Sequence, residues 1–364
     1  MAVYTEVSFD EAADLVRQLR IGELTALRPC EGGIENTNYF VDTRTCTDSG
    51  TDSGTDSATG SGRYVLTVFE RLGFEQLPFY LALMQHLAER GLPVPGPQAD
   101  AAGRILHRLK GKPAAVVDRL AGRHHLAPDA SHCASVGALL ARMHLAVRDF
   151  PLHQPNLRGL AWWRDTLPVV LPFLHPEQRD LATDELRFQQ QVQASALHAA
   201  LPRGAIHADL FRDNAMFEGE RLSGVLDFYF AGVDTLAFDI AVTLNDWCID
   251  LATGRLEVDR ASALIEAYAA VRPLENAERR LMPAMLRAAA FRFWLSRLWD
   301  AHLPRDAAVL TAHDPEHFER VLRERVAVAW HPLAGEDNRP LAGEDNRPLT
   351  GEDNRPLSLP PAVE

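Results

Sequence analysis

The sequence predicts an α+β chain in two lobes: a small antiparallel-sheet N-lobe over residues 1–120 and a larger helical C-lobe over residues 121–331. Three observations predict it. Short alternating apolar runs crowd the first third, helical apolar spacing takes over from Ser131, and one compact β segment, Gly204–Tyr229, interrupts the helices.

The elements follow in order. Phe9–Leu19 has the apolar spacing of an amphipathic helix, and Tyr39–Asp42 and Tyr64–Glu70 are short strand-like runs. Between these strands Thr45–Gly62 is a Ser/Thr/Asp/Gly run repeating TDSG. Such a segment cannot bury enough apolar surface to offset its ordering entropy, so a disordered insertion in an elongated hairpin is expected. Leu77–Arg90 is helical and stops at Gly91, before the Pro93-Val94-Pro95 break. Arg104–Arg108 and Pro113–Leu120 are strands around the turn Lys110-Gly111-Lys112, and Gly122 and Pro128 mark a connector. Helices are predicted at Ser131–Val147, Asp184–Leu201, Phe238–Leu251, Arg260–Val271 and Glu278–Ala301. From Pro332 the chain carries PLAGEDNR twice and PLTGEDNR once, then a Pro-rich end, so residues 332–364 are expected to be a disordered tail.

With 364 residues and 46% hydrophobic content, the chain can bury the cores of two domains. Its formal net charge of −13 argues against binding a nucleic acid polymer, which relies on Lys and Arg to neutralise phosphates. A nucleotide cofactor stays open, because Mg²⁺ supplies positive charge locally. The four cysteines have no paired or zinc-finger spacing, which fits reduced thiols in a cytoplasmic protein. The N-terminus lacks the order of a signal peptide and no apolar run is long enough for a membrane span, so no membrane partner is expected.

The chemistry concentrates in Ile206-His207-Ala208-Asp209-Leu210-Phe211-Arg212-Asp213-Asn214, which fits the kinase catalytic-loop pattern H-x-D-x-x-x-x-N. Asp227 follows the apolar run Gly224-Val225-Leu226, and the intervening residues read as a hairpin with a Glu218-Gly219-Glu220 turn. A hairpin brings its ends together, so Asn214 and Asp227 are expected side by side as ligands of ATP-bound Mg²⁺. Asp209 is then the base or hydroxyl-positioning group, and His207 supports the loop. Turn and cap chemistry alone would account for Asp213 and Asn214, but not for an Asp ending an apolar strand.

Ahead of the first predicted strand, Glu31–Tyr39 reads as a Gly/Asn-rich turn whose Gly32, Gly33, Asn36 and Asn38 are candidate phosphate contacts. It matches neither the GxGxxG nor the Walker pattern. Asp118 and Leu120, where the last N-lobe strand meets the connector, complete the nucleotide candidates. The pair His313 and His317 reads as helix-start context rather than metal ligation, and His124-His125 as solvated. Trp162-Trp163 and the Phe291/Phe293/Trp294/Trp299 group read as core ahead of a substrate cage.

These motifs resemble those of the aminoglycoside phosphotransferase and choline kinase superfamily, which has a bilobed protein-kinase-like fold. The resemblance covers about residues 5–330 apart from the insertion, through GGIENTNYF, YVLTVFE, GLPVP, ALLARMHLA, IHADLFRDN, GVLDFYFAG and FDIAVTLNDW. GIENTNYF, NLRGLAWW, FRFWLSRLWD and DPEHF further resemble the bacterial homoserine kinases within it. That resemblance implies transfer of the ATP γ-phosphate to the hydroxyl of L-homoserine, and a supporting role for Asp239 behind the catalytic loop. One departure stands out. Thr67 occupies the place of the third-strand Lys and Tyr80 stands near its expected Glu partner, so both halves of that ion pair are absent together. Phosphate anchoring then falls to the Gly-rich turn, Mg²⁺ or an Arg such as Arg71.

An amino-acid acceptor needs a cation for its carboxylate and an acid for its ammonium. Arg292 and Ser296, one turn apart on a predicted helix, and Asp246 on another are the substrate candidates, with a surface or structural salt bridge the competing reading for each. Two other hypotheses stay open: a kinase for choline, an aminoglycoside or another amino alcohol, and a nucleotide-binding pseudokinase scaffold. Choline would favour an aromatic cage and an aminoglycoside a broad acidic cleft.

Overall fold

Ser8 starts the first helix, α1 (Phe9–Leu19), with a capping box: its hydroxyl accepts from the Glu11 amide, and the Glu11 carboxylate returns to the Ser8 amide at 2.9 Å. This computed structural model describes residues 5–30, 36–45, 60–303 and 314–332. After α1 come β1 (Glu23–Pro29), β2 (Thr37–Thr45), β3 (Gly60–Val68), helix α2 (Pro78–Glu89), β4 (His107–Leu109) and β5 (Lys112–Asp118). The five strands form one antiparallel sheet in the order β1-β2-β3-β5-β4. Lys110 (φ 52°) and Gly111 (φ 79°) make the two-residue left-handed turn of the β4–β5 hairpin.

Strand alternation gives this sheet two different faces. Leu24, Tyr39, Val41, Leu66, Val68, Ala114 and Val116 bury against α1. Ala115 and Val117 point the other way and join α2 in the larger core. Thr45 pairs with Gly60 and Thr43 with Gly62, so the strands run into the ends of the expected loop; residues 46–59 lie outside the described residues. The sequence reading also missed β1.

The larger core is built from α3 (Ala130–Ala146), α4 (Leu160–Val170), α5 (Pro176–Gln193), the single turn α6 (Ala196–Ala199), α7 (Leu236–Trp247), α8 (Val258–Val271), α9 (Asn276–His302) and α10 (Pro315–Ala327). Strand β6 (Arg203–Ile206) pairs with β9 (Gly232–Thr235), and β7 (Ala215–Glu218) with β8 (Arg221–Val225). The helix predicted at Asp184–Leu201 begins instead at Pro176 and breaks near Ala194, where Ser195 caps α6. Asn245 ties three helices together: its Nδ2 donates to Leu286 O at 2.8 Å, and its Oδ1 accepts from Arg325 Nε at 2.9 Å. Pro332, assigned to the tail, is buried; residues 333–364 lie outside the described residues. No helix among the described residues is long and apolar enough to cross a membrane.

Candidate active site

The loop after β6 is fixed from behind by one buried carboxylate. Asp239, in the first turn of α7, accepts from the backbone N–H of His207 at 2.9 Å and of Ala208 at 2.7 Å. His144 on α3 lies 3.0 Å from the same carboxylate, and its Nδ1 meets the Tyr268 hydroxyl at 2.7 Å. Burial raises the pKa of Asp239, but the His144 contact and the loop amides outweigh it and hold the carboxyl below its ordinary range. These bonds sustain Ala208 at φ 63°, a left-handed conformation that costs an L-residue about 1–2 kcal/mol.

His207 is 1% exposed. Its Nδ1 accepts from the Asp209 amide at 3.2 Å, so the proton sits on Nε2, which donates to Leu226 O at 2.8 Å. Burial lowers its pKa and keeps the ring neutral. The imidazole therefore joins the loop to the return strand of the β7–β8 hairpin.

That hairpin closes as expected: Leu226 N donates to Asn214 O at 2.8 Å, bringing Asn214 and the residue before Asp227 together. Asn214 Nδ2 donates to Asp209 O at 2.8 Å and Asp209 Oδ2 at 3.2 Å, which leaves the amide oxygen as its acceptor. Asp227 is exposed at the hairpin mouth in a left-handed conformation, φ 60°. An amide oxygen and a carboxylate there suit a hard, oxygen-seeking cation such as Mg²⁺. Burial pushes the Asp209 carboxyl up to about 8; Arg292 opposes the rise, and Asp227 and Asp213 add to it.

Arg292 on α9 is 2% exposed, with its Nη1 4.0 Å from Asp209 Oδ1. Its guanidinium lies over Phe293 and Phe230, 3.7 and 5.0 Å from the ring centroids. Among the described residues, Nη2 has no hydrogen-bond partner. Ser296, half-buried, stands one turn further along α9. Asp246 is occupied otherwise: its Oδ2 accepts from Arg212 N at 2.8 Å and Arg212 Nε at 3.1 Å. Arg212 also reaches Leu126 O and Asp246 O, making it a buried strut under the catalytic loop. Sequence reasoning passed over Arg212, although an Arg inside an otherwise apolar loop motif was a signal for it.

On the sheet side, Gly32 and Gly33 lie outside the described residues. Asn36 Oδ1 accepts from Glu70 N at 3.4 Å, and Asn38 Oδ1 accepts from Thr67 Oγ1 at 2.7 Å. Thr67 thus fills the place of the missing Lys with a neutral cross-strand bond. Tyr80 is buried edge-on to Tyr229, centroids 6.0 Å apart. Asp118 accepts from Gln98 Nε2 at 2.9 Å, and burial raises its pKa. Leu120 packs over Gly224 so closely that a Cβ there would stand 2.2 Å from Leu120 Cδ1. The tryptophans follow the core reading: Trp163 and Trp294 are buried, and Trp162 lies under Arg158 at 4.5 Å.

The family model described as "Phosphotransferase enzyme family" matches residues 26–274. A homoserine kinase of Polaromonas naphthalenivorans is 62% identical over 332 residues, covering 91% of this chain and 99% of the relative. One of Ralstonia pickettii is 56% identical, covering 90% and 96%. The chain belongs to the phosphotransferase enzyme family, among its homoserine kinases. An amicoumacin kinase solved with AMP-PNP is 15% identical with a TM-score of 0.59, covering 87% of this chain and 92% of the other. That likeness shows the fold: this phosphotransferase has the expected bilobed, protein-kinase-like α+β architecture.

Proposed function

We propose that this phosphotransferase moves the γ-phosphoryl group of ATP, with Mg²⁺, to the side-chain hydroxyl of L-homoserine. The observation that carries the reading is the guanidinium of Arg292, buried beside Asp209 with an Nη2 that has no hydrogen-bond partner among the described residues. A buried Nη2 without an acceptor costs free energy unless a ligand supplies one. A substrate α-carboxylate on Arg292 would direct its hydroxyl toward Asp209, with Ser296 beside it. The near-full-length identity to homoserine kinases supports the same acceptor.

In this reading Asp209 orients the hydroxyl and takes its proton, a role suited to a carboxyl whose pKa is raised toward the working pH. Asn214 and Asp227 hold the cation, which when bound offsets phosphate charge. His207, Asp239 and Arg212 keep the loop in register, and Asp246 acts through Arg212. The Gly32-Gly33 turn, Asn36, Asn38, Asp118 and Leu120 are assigned to the nucleotide side.

Arg292→Lys tests the acceptor assignment, because Lys keeps the charge but loses the fork that matches a carboxylate. KM for homoserine is expected to rise about tenfold or more, by loss of about 1.4 kcal/mol, with KM for ATP nearly unchanged. An equal rise in both constants would remove Arg292 from the acceptor site.

A further inference from the structure

At the far end of the β7–β8 hairpin from Asn214 and Asp227, a buried imidazole faces two exposed carboxylates. His132, in the first turn of α3, is 3% exposed. Its Nδ1 lies 2.6 Å from Asp129 Oδ1, which also accepts from the backbone N–H of Ser131 at 2.9 Å and of His132 at 3.0 Å. The 2.6 Å approach to this carboxylate oxygen puts the imidazole proton on Nδ1, ahead of the longer 3.5 Å contact in which the Asp129 amide points at the same nitrogen. Nε2 of the neutral ring then presents a lone pair, is buried, and has no hydrogen-bond partner among the described residues. Glu220 Oε2, in the hairpin turn, stands 3.3 Å from it.

A lone pair facing a carboxylate across 3.3 Å is repulsive unless positive charge lies between them. That gap exceeds the roughly 2.7–2.9 Å of a charge-assisted hydrogen bond. It does match one edge of a tetrahedron whose centre lies about 2.0–2.1 Å from each corner, the bond length of zinc to His nitrogen. The ring is locked from both sides: His125 packs over it at 3.8 Å between centroids and Phe217 meets it at 5.0 Å. His125 is thus half-buried against His132, not solvated as its sequence context suggested, and its Nδ1 is a second buried nitrogen without a partner among the described residues.

We propose that His132 Nε2 and the Glu220 carboxylate bind a divalent cation of the zinc class, with Asp129 fixing the imidazole through Nδ1–H and water completing the shell. A carboxylate–histidine pair of this kind orients a metal-binding ring and raises its basicity. The cation would pin the hairpin tip to α3 and so steady the strands whose other ends carry Asn214 and Asp227.

The test uses the full chain, stripped with a chelator, returned to excess Mg²⁺ and titrated with Zn²⁺ while thermal unfolding is followed. The wild type is expected to bind one Zn²⁺ and to gain in Tm, with Glu220→Gln and His132→Gln needing at least about tenfold more Zn²⁺ for the same gain. Glu220 sits in an exposed turn, its side chain 77% exposed, so the Gln variant keeps the fold even where His132→Gln does not. Binding at scattered surface histidines would leave wild type and Glu220→Gln alike. Indistinguishable titrations of those two proteins, including no response in either, would overturn the proposal.

Discussion

Two opposing influences meet on Asp209. Burial and the neighbouring Asp227 and Asp213 favour its protonated form, and Arg292 favours the carboxylate; burial wins and the group titrates near 8 instead of 3.8. The folded chain therefore holds this proton over a window in which the unfolded chain has released it. Stability from this group falls as pH rises through that window. Asp209→Asn removes the titration, so the metal-free variant should match or exceed the wild-type Tm at pH 8 while losing about a thousandfold or more in kcat. A large loss of Tm at pH 8 would show that the carboxylate stabilises the loop. His207, Asp209 and Asn214 were legible because they are neighbours in one loop. Asp239 was reached through resemblance, but its bond to His144, 95 positions away, has no local signature. For Asp246 the sequence left substrate contact and a salt bridge open, since nothing in its helix reveals Arg212 beside it.

Helices and strands set how far these residues can move. Gly137 shows how tightly α3 and α8 cross: a Cβ at that position would stand 2.1 Å from Leu264 O. Backbone cannot yield as a flexible side chain does, so Gly137→Ala should cost about 2 kcal/mol or more despite the better helix propensity of Ala. Chemical denaturation measures this, and an unchanged midpoint would contradict the close crossing. Because α3 also carries His144, the variant should lose activity at temperatures below its unfolding. Elements with strong local signals, such as the apolar spacing of Phe9–Leu19 and the Lys110-Gly111 turn, could be read directly. β1 could not, because its residues are mostly exposed or half-exposed and show no clean alternation. α4 was missed as well; it contains Pro168 and begins at Gly159 without a side-chain cap.

At the scale of the molecule, the two cores divide the labour. α1 and one face of the sheet form a core of their own, and the sheet's other face joins the helices that carry the catalytic loop. A nucleotide held between sheet and loop would contact both. The repeats begin at Pro332, which is itself buried. Truncation after Pro332 should therefore leave kcat within about twofold of wild type, a change worth under about 0.5 kcal/mol; a large loss would give the repeats a part in turnover. No single motif encodes the identity of the acceptor, since the catalytic loop specifies phosphoryl transfer whatever hydroxyl is presented. The most direct measurement is ATP- and Mg²⁺-dependent turnover of the full chain on L-homoserine, L-serine, choline and an aminoglycoside, with Asp209→Asn as control. Homoserine should be phosphorylated far more efficiently than the others, with that activity lost in the variant. Absence of homoserine turnover, or turnover untouched by Asp209→Asn, would contradict the account.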